Sequence, residues 1–210
     1  MKLLLVGATG LVGQQVLSQA LDDPRVHTLV TPLRRPLTIT HDKLVAPIVS
    51  FDDLPANADW WQADAAICTL GTTIKKAGSR EKFREVDHDY PLAVARLARM
   101  HGTPSFAIVS AMGANPNSLF FYSRVKGELE ADLTALLFPS LTLVRPALIG
   151  GHRKERRPAE QMAMKVLQLL NPLIPKSLRV NASATIAQAL LNAALQGRTG
   201  IRVITSAQMS

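Results

Sequence analysis

Lys2–Val6 reads as a continuous apolar strand, Leu11–Leu21 carries apolar residues at helical spacing, and only Gly7-Ala8-Thr9-Gly10 lies between them. A strand that enters a helix through so short a turn needs glycine where a side chain would obstruct the reversal. With Gly13 in the first helical turn, the spacing is G-x-x-G-x-x-G. Such glycines let backbone approach a pyrophosphate, and the amides that open the helix supply donors for the anion. The flanking strand and helix are the context that separates this pattern from a chance run of glycines. The expected cradle is therefore Gly7, Ala8, Thr9, Gly10, Leu11, Val12 and Gly13 around the diphosphate of a dinucleotide.

The rest of the chain repeats the alternation. Val26–Val30 and Lys43–Val49 read as strands, the latter near an edge because Pro47 cannot donate to a ladder. Ala65–Leu70, Ser105–Val109 and Leu141–Val144 read as buried strands, and Ile201–Ile204 as a last strand. Glu81–Met100, Phe121–Leu137, Met162–Leu170 and Thr185–Leu195 read as helices, with Pro91 placed to kink or restart the first. Apolar strands alternating with helices predict an α/β fold: one doubly wound, Rossmann-type parallel sheet with helices on both faces. Residues 1–210 are expected to form a single dinucleotide-binding domain, with a small substrate or lid region around 150–180.

Composition narrows the function classes. One cysteine, Cys68, excludes a disulfide framework and a multi-cysteine metal centre. The five histidines never share a helix face at i, i+3 or i+4, so no metal site is expected. No run approaches the roughly 18 apolar residues of a membrane span, and the first apolar run is too short for a signal h-region. A cytoplasmic protein is the expectation. The formal charge of +8 has no aromatic-interleaved basic block beside it, so an anionic small ligand is preferred over nucleic acid. Homodimer and monomer both stay open.

An NAD site usually places an acid about 20 residues beyond the glycine turn, where it accepts from the ribose 2′-hydroxyl. No acid lies between Pro24 and His41; Arg34 and Arg35 follow the second strand instead. Guanidinium groups give a phosphate bidentate, charge-assisted hydrogen bonds. NADP(H) is therefore expected over NAD(H), with Arg34 and Arg35 on the 2′-phosphate.

Tyr122-Ser123-Arg124-Val125-Lys126 is a Y-x-x-x-K at the start of a helix, which puts phenol and ammonium on one face. A nearby cation favours phenolate, and such a tyrosine can exchange a proton with a carbonyl or alcohol oxygen while hydride moves. Ser110, at the end of Ser105–Val109, is placed to hold the same oxygen. Tyr122, Lys126 and Ser110 are the candidate catalytic residues.

In this order, GATGLVG, a serine at a strand end, YSRVK and VRPALIGG resemble the short-chain dehydrogenase/reductase superfamily. Four further stretches resemble its atypical Tat-interacting-protein-like branch: CTLGTT at 68–73, VDHDYPLAVARLA at 86–98, FYSRVKGELEADL at 121–133 and RPALIGGHRKERRP at 145–158. The resemblance implies that Thr9 to Val12 hold the pyrophosphate and that Leu70 and Gly71 line the nicotinamide ribose. It implies that Tyr122, Lys126 and Ser110 meet the nicotinamide end, Lys126 through the ribose hydroxyls. Pro146, Ile149 and Arg157 would come from the segment closing over the cofactor. Where the branch often has two serines, this chain has Ser110-Ala111, a departure that bears on the chemistry and not on cofactor binding.

Two functions follow. One is an NADP(H)-dependent oxidoreductase acting on a small carbonyl-like substrate. The other is a non-catalytic NADPH-binding sensor or assembly protein. Cys68 reads as a buried structural thiol, Trp60 and Trp61 as core. Asp87-His88-Asp89 does not read as a metal cluster, because consecutive helical residues diverge by about 100°. Met162, Met164, Leu167, Leu169 and Leu170 read as core or pocket wall.

Overall fold

Strands that are apolar on both faces need cover above and below, and the chain supplies it twice over. The computed structural model describes residues 1–150 and 179–209. Its main sheet has seven strands: β1 (Lys2–Val6), β2 (Thr28–Val30), β3 (Leu44–Val45), β4 (Ala65–Cys68), β5 (Ser105–Val109), β6 (Ser140–Arg145) and β9 (Gly200–Thr205). The order is β3-β2-β1-β4-β5-β6-β9, and every pair is parallel. The expected doubly wound parallel sheet is therefore present.

Strand residues alternate between two cores. Leu3, Leu5, Leu29 and Ile67 face α1 (Leu11–Asp22) and α6 (Ser183–Gln196), where they meet Val16, Leu17, Ile186 and Leu190. Leu4, Val6, Cys68 and Ile108 face the opposite side, where α4 (Tyr90–Met100) and α5 (Phe121–Ala135) contribute Val94, Ala98, Leu129 and Leu133. Trp61 is fully buried in the second core with its indole N–H donated to the Pro55 carbonyl, while Trp60 packs partly buried beside it.

Three expectations change in detail. The strand expected over 43–49 shortens to Leu44–Val45, yet the Pro47 carbonyl still accepts from Leu33 N and a bridge pairs Leu33 with Ile48. The helix expected over 81–100 follows a short α2 (Ile74–Ala77) and is three segments: α3 (Arg80–Arg84), a π-turn Glu85–Asp89 and α4. Pro91 has no N–H for the carbonyl four residues back, and the wider turn lies immediately before it. A two-stranded parallel sheet, β7 (Leu148–Gly150) with β8 (Val180–Ala182), was not anticipated. The expected helix 162–170 and most of the expected lid lie outside the described residues.

Candidate functional site

β1 and β4 are neighbours in the sheet, and the chain winds away from them in opposite directions. Their carboxyl ends therefore border a crevice, the place where open parallel sheets bind ligands. The glycine turn forms one wall. Gly7 has φ +91°, and a Cβ there would lie 2.7 Å from Thr69 Oγ1. A Cβ on Gly13 would lie 2.0 Å from the Gly7 carbonyl oxygen. Only glycine fits either position. No side chain caps the start of α1 and its first turn has no acid, so its opening amides remain donors for an anion. Ala8 is buried, while Thr9 and Gly10 are exposed at the mouth and Leu11 and Val12 begin the helix. This cradle suits a diphosphate.

Arg34 and Arg35 are both exposed and follow Leu33, the last residue tied to β3's segment. Neither has an ion pair among the described residues, so both guanidinium groups are available to a phosphate. Arg34 also borders a surface pocket of about 470 Å³ shared with Ser50, Phe51, Asp52 and Tyr90. The Tyr90 hydroxyl lies between the Asp52 and Glu85 carboxylates, and burial together with those acids holds its pKa above the usual phenol range.

Beyond β4, Thr69 Oγ1 donates to the carbonyls of Val6 and Gly7 at 3.0 and 3.1 Å, pinning the loop to the glycine turn. Leu70 is partly buried and Gly71 exposed. Next, Thr72 N donates to Asp87 Oδ2 at 2.7 Å. Asp87 Oδ1 meets Lys126 Nζ at 2.8 Å, with only 2% and 4% of the two side chains accessible. Lys126 is thus no surface lysine; it is a buried cation joining α5 to the π-turn and the β4 loop. Gly127 lets α5 sit this close to the preceding loop, since a Cβ there would fall 2.1 Å from the Asn115 carbonyl carbon.

Tyr122 lies one turn before Lys126, its ring 5.6 Å from that of Phe83. Its hydroxyl has no hydrogen-bond partner among the described residues. The expected lowering of its pKa is corrected by the surroundings. Although Tyr122 is 40% exposed, the side chains around its phenol desolvate it and raise the pKa, Lys126 lowers it and Asp87 raises it again, so the net direction is upward. The cation is present, but desolvation outweighs it and its own counterion opposes it.

Ser110 is also placed differently from the expectation. Its hydroxyl donates to Glu130, whose carboxylate also takes both Arg145 Nε, at 2.9 Å, and Arg145 Nη2. Ser110 is 4% exposed and Glu130 6%. A hydroxyl has one proton, and this one is committed to a carboxylate; orienting a substrate oxygen is not open to Ser110 in this arrangement. Ala111 beside it offers no second hydroxyl. Pro146 is buried and accepts from Met112 N at 2.9 Å, while Ile149 packs on the α1–α6 core from β7. Arg157 lies outside the described residues.

Asp87 and Glu130 were missed as site residues. Glu130 stands at helical spacing from Tyr122 and Lys126, which was the available signal for it. Asp87 belongs to Asp87-His88-Asp89, where His88 and Asp89 meet each other and Asp87 takes different partners. His88 approaches Asp89 and Asp132 through its two ring nitrogens at 2.7 and 3.0 Å, while Asp87 takes Lys126. No metal cluster occurs among the described residues. Cys68 is fully buried, and burial pushes its thiol up to about 12. No helix among the described residues is long and apolar enough to cross a membrane.

No family model matches the chain. Curated relatives do. Protein fmp52, mitochondrial, of Emericella nidulans is 33% identical over 208 residues, covering 93% of this chain and 88% of the relative. Protein HTATIP2 of Rattus norvegicus is 36% identical over 165 residues, covering 77% and 68%. Among solved structures, MoeE5 in complex with UDP-glucose and NAD superposes with a TM-score of 0.74 at 14% identity, over 97% of this chain and 75% of that one. Human epimerase family protein SDR39U1 with NADPH gives 0.61 at 18% identity, over 99% and 77%. These two establish likeness of fold alone. The fmp52 relatives are named mitochondrial, which overturns the cytoplasmic expectation. The match to fmp52 over 93% of the chain and the match to HTATIP2, on the fold described, place the chain in the atypical short-chain dehydrogenase/reductase superfamily, in the branch that holds those proteins.

Proposed function

We propose that this chain binds NADP(H) and is an oxidoreductase that moves a hydride to or from a small carbonyl-like substrate. The observation that carries the reading is Tyr122, its hydroxyl unpartnered among the described residues, one helical turn from the buried Lys126 at the sheet's carboxyl edge. The superfamily relationship and the NAD and NADPH named with two fold neighbours support a nicotinamide cofactor.

In this reading the glycine turn and the α1 amides hold the diphosphate, and Arg34 and Arg35 hold the 2′-phosphate. Leu70 and Gly71 line the nicotinamide ribose, and Lys126 reaches its hydroxyls. The bound nicotinamide supplies or accepts the hydride. Tyr122 is the proton donor to the carbonyl oxygen in reduction and the acceptor in the reverse direction. The raised pKa keeps its proton in place at neutral pH, which suits the reductive direction. Ser110 serves the scaffold through Glu130.

The test is NADPH consumption over a panel of aldehydes and ketones, with wild type beside Tyr122→Phe. Turnover of any member that falls at least about a hundredfold in the variant supports the assignment. Arg34→Asp should weaken NADPH roughly ten- to a hundredfold and leave NADH unchanged.

A second reading is favoured by the engaged Ser110 and the adjoining Ala111, which leave no free serine hydroxyl at the end of β5. It is a non-catalytic NADPH-binding sensor or assembly protein. Its mark would be tight NADPH binding with no turnover across the panel, and a set of co-purifying proteins that changes with NADPH.

A further inference from the structure

Asp87 joins two segments that the proposed cofactor reading places at the nicotinamide end. One of its oxygens takes the backbone amide of Thr72, next to Gly71, at 2.7 Å. The other takes Lys126 Nζ at 2.8 Å, and a Cβ on Gly71 would lie 3.4 Å from that same oxygen. Both charged side chains are almost entirely shielded from water. A buried ion pair contributes little to stability, because removing two charges from water offsets their attraction. It does fix the local charge, and charges are felt most strongly where water is excluded.

We propose that Asp87 is a charge-balancing positioning residue that sets the site's preference between oxidised and reduced nicotinamide. This rests on the reading above that the nicotinamide lies beside Lys126. The oxidised ring carries one formal positive charge. Taking up a hydride, two electrons and a proton together, makes it neutral. Lys126 alone would repel the oxidised ring and favour the reduced one. Asp87 cancels that bias while keeping the ammonium aimed from α5. The π-turn makes the arrangement feasible, since the consecutive residues Asp87 and His88 both reach α5, at Lys126 and Asp132.

The experiment is calorimetric titration of NADPH and of NADP⁺ into the full chain as wild type, Asp87→Asn, Lys126→Met and the double variant. In Asp87→Asn, the ratio of the NADP⁺ to the NADPH dissociation constant should rise about tenfold. For a two-electron couple, that is a rise of about 30 mV in the potential of the bound cofactor. Lys126→Met leaves the carboxylate unbalanced and should move the ratio the other way, and the double variant should return towards wild type. A residue that only holds the fold would weaken both forms equally. An unmoved ratio in the single variants that fold, with wild type binding both forms, overturns the inference and leaves the cofactor reading intact. Should Asp87→Asn fail to fold, Lys126→Met against the double variant decides. Wild type that binds neither form overturns the cofactor reading, and this inference with it.

Discussion

Thr69 and Gly7 hold the β1 turn closed: Thr69 Oγ1 donates to the Gly7 carbonyl at 3.1 Å, and a Cβ on Gly7 would lie 2.7 Å from Thr69 Oγ1. The turn therefore has no room to adapt. Gly13→Ala puts its methyl 2.0 Å from the Gly7 carbonyl oxygen. The turn or α1 must shift, at a cost of about 3 kcal/mol, the upper part of the overpacking range. Urea unfolding should show that loss, and NADPH binding should vanish with the displaced amides. A variant as stable as wild type would mean that the turn can shift to admit a side chain at Gly13.

Cys68 is fully buried in β4 and its thiol is raised from 9.0 to about 12 by desolvation. Thiolate is the reactive form, so native protein at pH 8 should resist iodoacetamide and react only after denaturation. The linkage has a definite sign. The native thiol stays neutral where the unfolded one ionises, so stability falls as pH rises from about 9 towards 12. Cys68→Ala should flatten that part of the stability profile. Rapid native alkylation would contradict the burial.

The chain has only two tyrosines, and both phenols are raised above 10.0. Absorbance titration should show no phenolate between pH 7 and 9. Subtracting the Tyr90→Phe titration from wild type isolates one group at a time. Lys126→Met should push Tyr122 further up, and Asp87→Asn should bring it down, because Asp87 opposes the cation. A Tyr122 that ionises near neutral pH would restore the sequence-based expectation of an activated phenolate.

Glu130 receives Ser110 from β5's end and Arg145 from β6, and so clamps α5 to the sheet. Glu130→Ala strands both partners and should cost about 2 kcal/mol, below the range for a fully buried ion pair because the Arg145 side chain is 32% exposed. Glu130→Gln keeps an acceptor and should cost roughly half as much. Chemical unfolding measures both. A free energy within 0.5 kcal/mol of wild type, roughly the scatter of surface substitutions, would contradict the clamp.

The central strands were legible because burial on both faces leaves them apolar almost throughout, as Ala65–Cys68 and Ser105–Val109 are. β7 and β8 were not, since each has three residues and its partner lies some 30 residues away. The glycine turn announces its own geometry, because Gly7 and Gly13 are local requirements of one bend. Tyr122 and Lys126 were legible as a helical pair. Asp87 was not, because a carboxylate acquires its role from whatever tertiary structure sets against it. For the same reason Ser110 was assigned to substrate when its proton belongs to Glu130: a strand-end position is visible in sequence, and a hydrogen-bond partner 20 residues away is not.

The most direct test of the account is the thermal stability of wild-type protein titrated separately with NADPH and with NADH. At 100 times its dissociation constant a ligand adds about 2.7 kcal/mol of stability, an easily read shift in Tm. The glycine cradle with Arg34 and Arg35 beside it predicts a clear shift with NADPH and a smaller one with NADH at equal concentration. No shift with either would contradict the central claim and reduce the glycine turn to a turn.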